Sequence, residues 1–184
     1  MLNRIFRNPF VLATASAVLL RLSYPKFNIW ILAWFAFVPL FFAIERQKPV
    51  KVFLTSLFSG TLFFILTIFW LVHVTVPGMI ILSIYLGLYV AFFSLGYALL
   101  KERIEFWQRL IFVPSLWVLL EFFRGSLLTG FPWALLAYSQ TSSLINIQAA
   151  DLFGAYGVSF IVMFANILIF EFITALRLQE ACRL

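Results

Sequence analysis

Residues 52–72, 79–100 and 158–170 form runs without a single charged side chain, and these runs limit what the chain can fold into more than any other feature. An uncharged run of about 20 residues matches the thickness of a bilayer when it is helical. The remaining composition agrees, with 64% of residues hydrophobic, 20% aromatic and only 11% charged, where an ordinary soluble domain has roughly a quarter charged. Only helices and closed barrels satisfy their backbone in lipid. A barrel requires hydrophobicity that alternates over segments of about ten residues, whereas the runs here are unbroken. The expected class is an all-α integral membrane protein.

Along the chain the apolar segments give a six-helix transmembrane bundle, with helices roughly at 9–22, 28–44, 52–74, 79–100, 110–123 and 158–176, in a single domain over 1–184. The first segment, after Arg4 and Arg7, shares its pattern with a signal peptide. Its small residues Ala13, Ala15 and Ala17 lie inside the run, however, and Arg21 follows at once, so it reads as a short membrane helix. Ala13-x-x-x-Ala17 also fits a small-xxx-small packing pattern, although in so short an apolar helix chance is the better account of it. Pro39 predicts a kink in the second helix, because proline removes a backbone hydrogen bond.

The fifth and sixth helices are separated by a connection over 124–157. Connections of that length in compact proteins are uncommon and usually functional. Ala134 to Ala137 are apolar although they lie outside the helices, which favours an interfacial or re-entrant segment.

Lys and Arg in alternate segments set the orientation. One side receives Arg4, Arg7, Arg46, Lys48, Lys51, Lys101, Arg103, Arg109, Arg177 and Arg183; the other receives Arg21, Lys26 and Arg124. This asymmetry predicts cytoplasmic termini, with the 124–157 loop, the Tyr24-Pro25 turn and His73 on the outer face. The net charge of +6 is thus topogenic, and no nucleic acid is expected as a partner. Cys182 is the only cysteine and the chain has one His, so neither an intrachain disulfide nor a Cys/His metal site is expected. No cofactor is indicated.

Ionisable groups at membrane depth are costly and are candidates for function. On the fifth helix Trp117, Glu121 and Arg124 fall at i, i+4 and i+7 and share a face. Glu121 and Arg124 fit two descriptions equally: a structural ion pair at the membrane boundary, or a carboxylate holding Arg124 for an anionic headgroup. Thr129-Gly130-Phe131-Pro132-Trp133 has the parts of a tight turn, and Trp133 is either an interfacial anchor or a ligand contact. Tyr138, Gln140, Asn146 and Gln148 follow as polar contacts. Asn166 and Glu171 on the last helix suit a polar site, but Glu171 lies near the cytoplasmic end, where contact with a nearby cation accounts for it. No Gly-rich phosphate loop, HExxH or nucleophile elbow is present. The residues alone describe a helical membrane bundle with an unusual outer loop and no reaction.

Glu121-Phe-Phe-Arg124-Gly-x-x-x-Thr129-Gly-Phe-Pro132-Trp133, followed by Tyr138-Ser-Gln140, resembles the membrane domain of bacterial apolipoprotein N-acyltransferases. Pro114-x-x-Trp117, Tyr24-Pro25, Trp30 and Trp70 fit in order and spacing. The resemblance implies a phospholipid acyl donor, a ping-pong mechanism through an acyl-enzyme, and a diacylated apolipoprotein as acceptor, in the bacterial inner membrane. It implies Glu121, Arg124, Thr129, Pro132, Trp133, Tyr138 and Gln140 as substrate-binding residues. Family catalysis belongs to a nitrilase-like domain with a Glu-Lys-Cys triad, reached through a further membrane helix. No residue here matches that triad, so no catalytic residue is expected, and the missing domain is expected as a partner in cis or trans. A vitamin transporter's substrate-binding membrane subunit, also six-helical with Ala-x-x-x-Ala, is the alternative, though it gives no reason for the Thr-Gly-Phe-Pro-Trp turn. A non-catalytic lipid-binding scaffold is the third.

Overall fold

The computed structural model describes residues 8–127 and 130–183, with side-chain surroundings through Glu180. Helix α1 (Pro9–Ser23) starts with Pro9 in its first turn and the Asn8 side chain accepting the Phe10 N–H at 3.0 Å. At about 1.5 Å rise per residue its 15 residues fall short of a bilayer core of about 30 Å. After a 3-10 turn (Trp30–Trp34) come α2 (Val38–Ile44), α3 (Pro49–Thr67), a second 3-10 turn (Phe69–His73), α4 (Val76–Leu100) and α5 (Phe106–Ser126). The chain closes with a third 3-10 turn (Leu136–Gln140), α6 (Leu144–Ile147) and α7 (Ala150–Arg183). Helices α3, α4, α5 and α7 are each long and apolar enough to cross a membrane. No strand occurs among the described residues, so the all-α membrane class holds.

The even count of six regular helices needs correction. The expected helix 28–44 is a 3-10 turn, a three-residue break and the seven-residue α2. Pro39 sits in the first turn of α2, where its missing N–H costs nothing, so it starts a helix and does not kink one. A broken backbone in an apolar interior must still satisfy its polar groups. Asn166 of α7 does this, accepting the Phe37 N–H at 2.8 Å and donating to the Ala33 carbonyl at 2.8 Å. Asn166 is therefore a staple across the break.

Likewise the expected helix 52–74 ends its α-helical part at Thr67 and continues as 3-10. Two carbonyls near that end take side-chain donors: Thr67 Oγ1 donates to Phe63 O at 2.7 Å, and Arg21 Nε to Leu66 O at 2.9 Å. The fifth helix starts earlier than 110, because Glu105 and Gln108 form a capping box. The last helix begins at Ala150 instead of 158 and carries a non-helical residue, Gly154, at φ 66°. The irregular connection is thereby shorter than 124–157.

Lipid offers no hydrophobic force between helices, so close packing and polar contacts hold the bundle. Antiparallel α3 and α4 touch at Gly60 and Gly87: a Cβ on Gly87 would meet Thr61 N at 2.8 Å. On α1, Ala13 and Ala17 are fully buried, and Ser59 of α3 donates to the Ala13 carbonyl at 2.9 Å. The small-xxx-small pattern is a packing face after all. An aromatic cluster fills the centre: Phe37 lies edge-on to Trp117 at 4.8 Å, and Phe41 meets Tyr97 at 5.2 Å and Phe170 at 5.4 Å. Near the other end, Arg109 forms a bidentate pair with Glu171 at 2.7 and 3.1 Å. The carboxylate on the last helix thus has the cation contact expected of it.

Candidate functional site

Helix α5 carries the site because its heptad spacing puts three polar side chains on its buried face. Trp117 is 9% exposed, and Glu121 and Arg124 are each 3% exposed. The two charges stand 3.8 Å apart. At that range, with an effective dielectric near 20, the attraction is about 4 kcal/mol. Desolvating each ion costs several kcal/mol, so pairing alone does not account for the node. Its further contacts go to the returning loop.

Glu121 Oε1 accepts the Leu136 N–H at 2.7 Å, and Arg124 Nη2 donates to the Ala134 carbonyl at 3.2 Å. The guanidinium also lies 5.3 Å over the Phe64 ring. From the opposite side the Tyr24 hydroxyl is shared between the carbonyls of Ala134 and Leu135, at 3.2 and 3.0 Å. Burial, and next the Glu121 carboxylate, push the Tyr24 phenol well above its ordinary range, so it stays a donor. Ser159 of α7 accepts the Ala137 N–H at 3.0 Å. Every step of the loop from Ala134 to Ala137 is therefore held by a side chain from α1's end, α5 or α7. Trp117 Nε1, Glu121 Oε2 and Arg124 Nε make no hydrogen bond to the described residues.

The turn that brings the loop back depends on glycine. Gly130 has φ 74°, and a Cβ there would overlap the Gly125 carbonyl. Its N–H bonds Leu127 O at 2.9 Å, and Phe131 N–H bonds Arg124 O at 2.8 Å, which satisfies carbonyls at the end of α5. Ala134, at φ 57°, then reverses the chain inward. What this leaves outside is Trp133, 52% exposed, with its ring 5.5 Å from Trp70 and 5.5 Å from Phe131.

The residues singled out in the sequence divide into two sets. Glu121, Arg124 and Gln140 are buried; Gln140 accepts from Trp34 Nε1 at 3.1 Å and Asn146 at 2.8 Å, and donates to the Trp30 carbonyl at 3.2 Å. Pro132, Trp133 and Tyr138 are exposed. Thr129 lies outside the described residues. Sequence reasoning missed Ser159, and gave Tyr24 and Trp70 no role at this site. A serine at the loop-facing start of an apolar helix was the available signal for Ser159. Nothing local marks Tyr24 as a partner of residues 110 and 111 positions away. The exposed set offers ring faces and a phenol, while most donors and acceptors of the buried set are engaged in holding the loop.

These features define a multi-helix membrane protein whose loop is folded back and pinned to its own helices, with an aromatic face left open. Residues 16–168 match the apolipoprotein N-acyltransferase N-terminal domain, and the chain belongs to that family. The apolipoprotein N-acyltransferase of Geobacter metallireducens is 38% identical over 97% of this chain and 36% of its own length. Those of Pasteurella multocida and Shewanella oneidensis are 29% and 34% identical, over 97% and 83% of this chain. The chain spans about a third of the length of these curated relatives.

Proposed function

We propose that the chain is the membrane module of an apolipoprotein N-acyltransferase in the bacterial inner membrane, and that it holds lipid substrates without itself reacting with them. The relatives' name describes acyl transfer to an amine of an apolipoprotein. In this reading the donor is a phospholipid and the acceptor is the N-terminal amine of a diacylglyceryl-cysteine. A nitrilase-like domain, in cis or in trans, supplies the acyl-enzyme. The Lys and Arg asymmetry supports a reading with both termini in the cytoplasm and the Trp133 face outside.

One observation carries the assignment of roles. Both members of a buried ion pair are bonded to the backbone of Ala134 and Leu136, immediately behind exposed Trp133. Glu121, Arg124 and Gln140 are accordingly positioning residues, and Thr129 is kept as the substrate-binding residue that the resemblance implies. Pro132, Trp133 and Tyr138 are the surface that meets lipid. Arg124, buried and committed to the loop, acts on a headgroup only through that surface.

The test uses an enzyme carrying the catalytic domain. Trp133→Ala and Arg124→Ala are expected to lower acyl transfer by more than they lower expression. Full turnover in both variants would sink the role assignment and leave Trp133 as an interfacial anchor. The isolated chain, incubated with phospholipid, is expected to form no thioester acyl-enzyme, and finding one would refute the non-catalytic part.

A further inference from the structure

A groove of about 830 Å³ lies between the C-terminal ends of α1 and α3, apart from the pinned loop. Its floor is apolar, including Leu66, Phe69 and Trp70, and its lining carries Arg21, Lys26 and His73. Among the described residues none of these three has a carboxylate within 4 Å, whereas Lys101, Arg109 and Arg124 each do. The groove is thus basic without internal compensation.

Arg21 is held in advance. Its Nε donates to Leu66 O at 2.9 Å, its Nη1 to Pro25 O at 3.1 Å, and its guanidinium lies 5.0 Å over the Phe27 ring. Nη2 makes no hydrogen bond to the described residues. The free carbonyls at two helix C-termini would repel an anion, but Arg21 occupies the one at Leu66 and removes part of that penalty. A planar guanidinium fixed on one edge and free on the other suits a phosphate oxygen. The aromatic floor adds what a free phosphate ion cannot use, namely contact for a glycerol backbone and the first part of acyl chains.

We propose that this groove is a binding site for one anionic phospholipid, with the phosphodiester at Arg21 and Lys26 and the chains over Phe69 and Trp70. Trp70 also meets Trp133 in a tilted contact at 5.5 Å, so the site adjoins the exposed aromatic face. The proposal deepens the proposed function and rests on that reading only for what becomes of the bound lipid.

The purified chain is titrated in detergent with dioleoyl phosphatidylglycerol or dioleoyl phosphatidylcholine, and retained lipid is counted by native mass spectrometry. One phosphatidylglycerol per chain is expected, retained about fivefold or more over phosphatidylcholine, in keeping with the attraction of interfacial basic residues for anionic lipid. Lys26→Gly and Arg21→Gln should each remove most of that preference. Arg21→Gln also cuts contacts to Leu66 and Pro25, so Lys26→Gly, at a φ of 94° that suits glycine, is the cleaner variant. Lys51→Gln, an exposed cation at the other end of α3, should change nothing. Equal retention of both lipids, an unchanged preference in Lys26→Gly, an equal loss in Lys51→Gln, or displacement by inorganic phosphate overturns the proposal. No acyl transfer is read, so this failure and failure of the proposed function are separate results.

Discussion

Glu121→Gln and Arg124→Gln, singly and together, test whether the buried pair holds the loop. Both side chains are 3% exposed, and their gross attraction of about 4 kcal/mol at 3.8 Å is of the same order as the cost of desolvating them. The pair therefore contributes little net stability, but breaking it strands a charge, at a cost of about 3–5 kcal/mol. Gln at 121 can still accept the Leu136 N–H, and Gln at 124 keeps a donor within reach of Ala134, so the loop's own bonds survive in outline. A carboxylate left alone can take up a proton, whereas a guanidinium cannot release one. Glu121→Gln should accordingly cost more than Arg124→Gln. The double variant removes both charges and should lose well below the sum, with a coupling of about 2 kcal/mol or more. Reversible unfolding in mixed micelles gives the three free energies, and the emission lost on adding Trp133→Phe to each variant isolates Trp133 among the six tryptophans and reports whether the loop stays docked. Additivity of the two singles within about 0.5 kcal/mol would refute the reasoning. So would a Glu121→Gln protein as stable as the parent.

Asn166→Leu leaves the Phe37 N–H and the Ala33 carbonyl without partners in an apolar interior. At about 1–3 kcal/mol for each orphaned group, a loss of about 2 kcal/mol or more is expected in the same unfolding assay, and a loss below the scatter of conservative core changes would show that the break finds other partners. Gly130→Ala adds a Cβ at φ 74° against the Gly125 carbonyl. Left-handed backbone alone costs about 1–2 kcal/mol for such a residue, so the turn should shift and the Trp70–Trp133 contact should open, seen as a change in tryptophan emission; an unaltered spectrum and midpoint would contradict the turn geometry.

Much of the fold was legible because lipid makes severe demands. A long uncharged run in hydrocarbon favours a helical backbone, and α3, α4 and α7 each contain one, while α5 is uncharged only between Arg109 and Glu121. The shared face of Trp117, Glu121 and Arg124 followed from helical period alone, since spacing within one helix is a local property. The motif residues themselves also marked the family.

The breaks were not legible, because they are decided by partners far along the chain. Residues 30–44 have the apolarity of one helix, yet Asn166, more than 120 residues later, satisfies the groups that a break exposes. Thr67 and Ile68 read as helix interior, and Arg21 from a neighbouring helix donates to the Leu66 carbonyl where the α-helix gives way. The roles within the site divided in the same way. The motif behind the family resemblance named Glu121, Arg124, Trp133 and Gln140 together, but only the packing of α1, α5 and α7 around Ala134 to Ala137 separated the buried residues that hold from the exposed ones that can be touched. The sequence by itself determined a helical membrane protein and the residues of its loop. The tertiary structure alone decided which hydrogen bonds that loop makes, because those bonds depend on distance in space and carry no signal in the order of the chain.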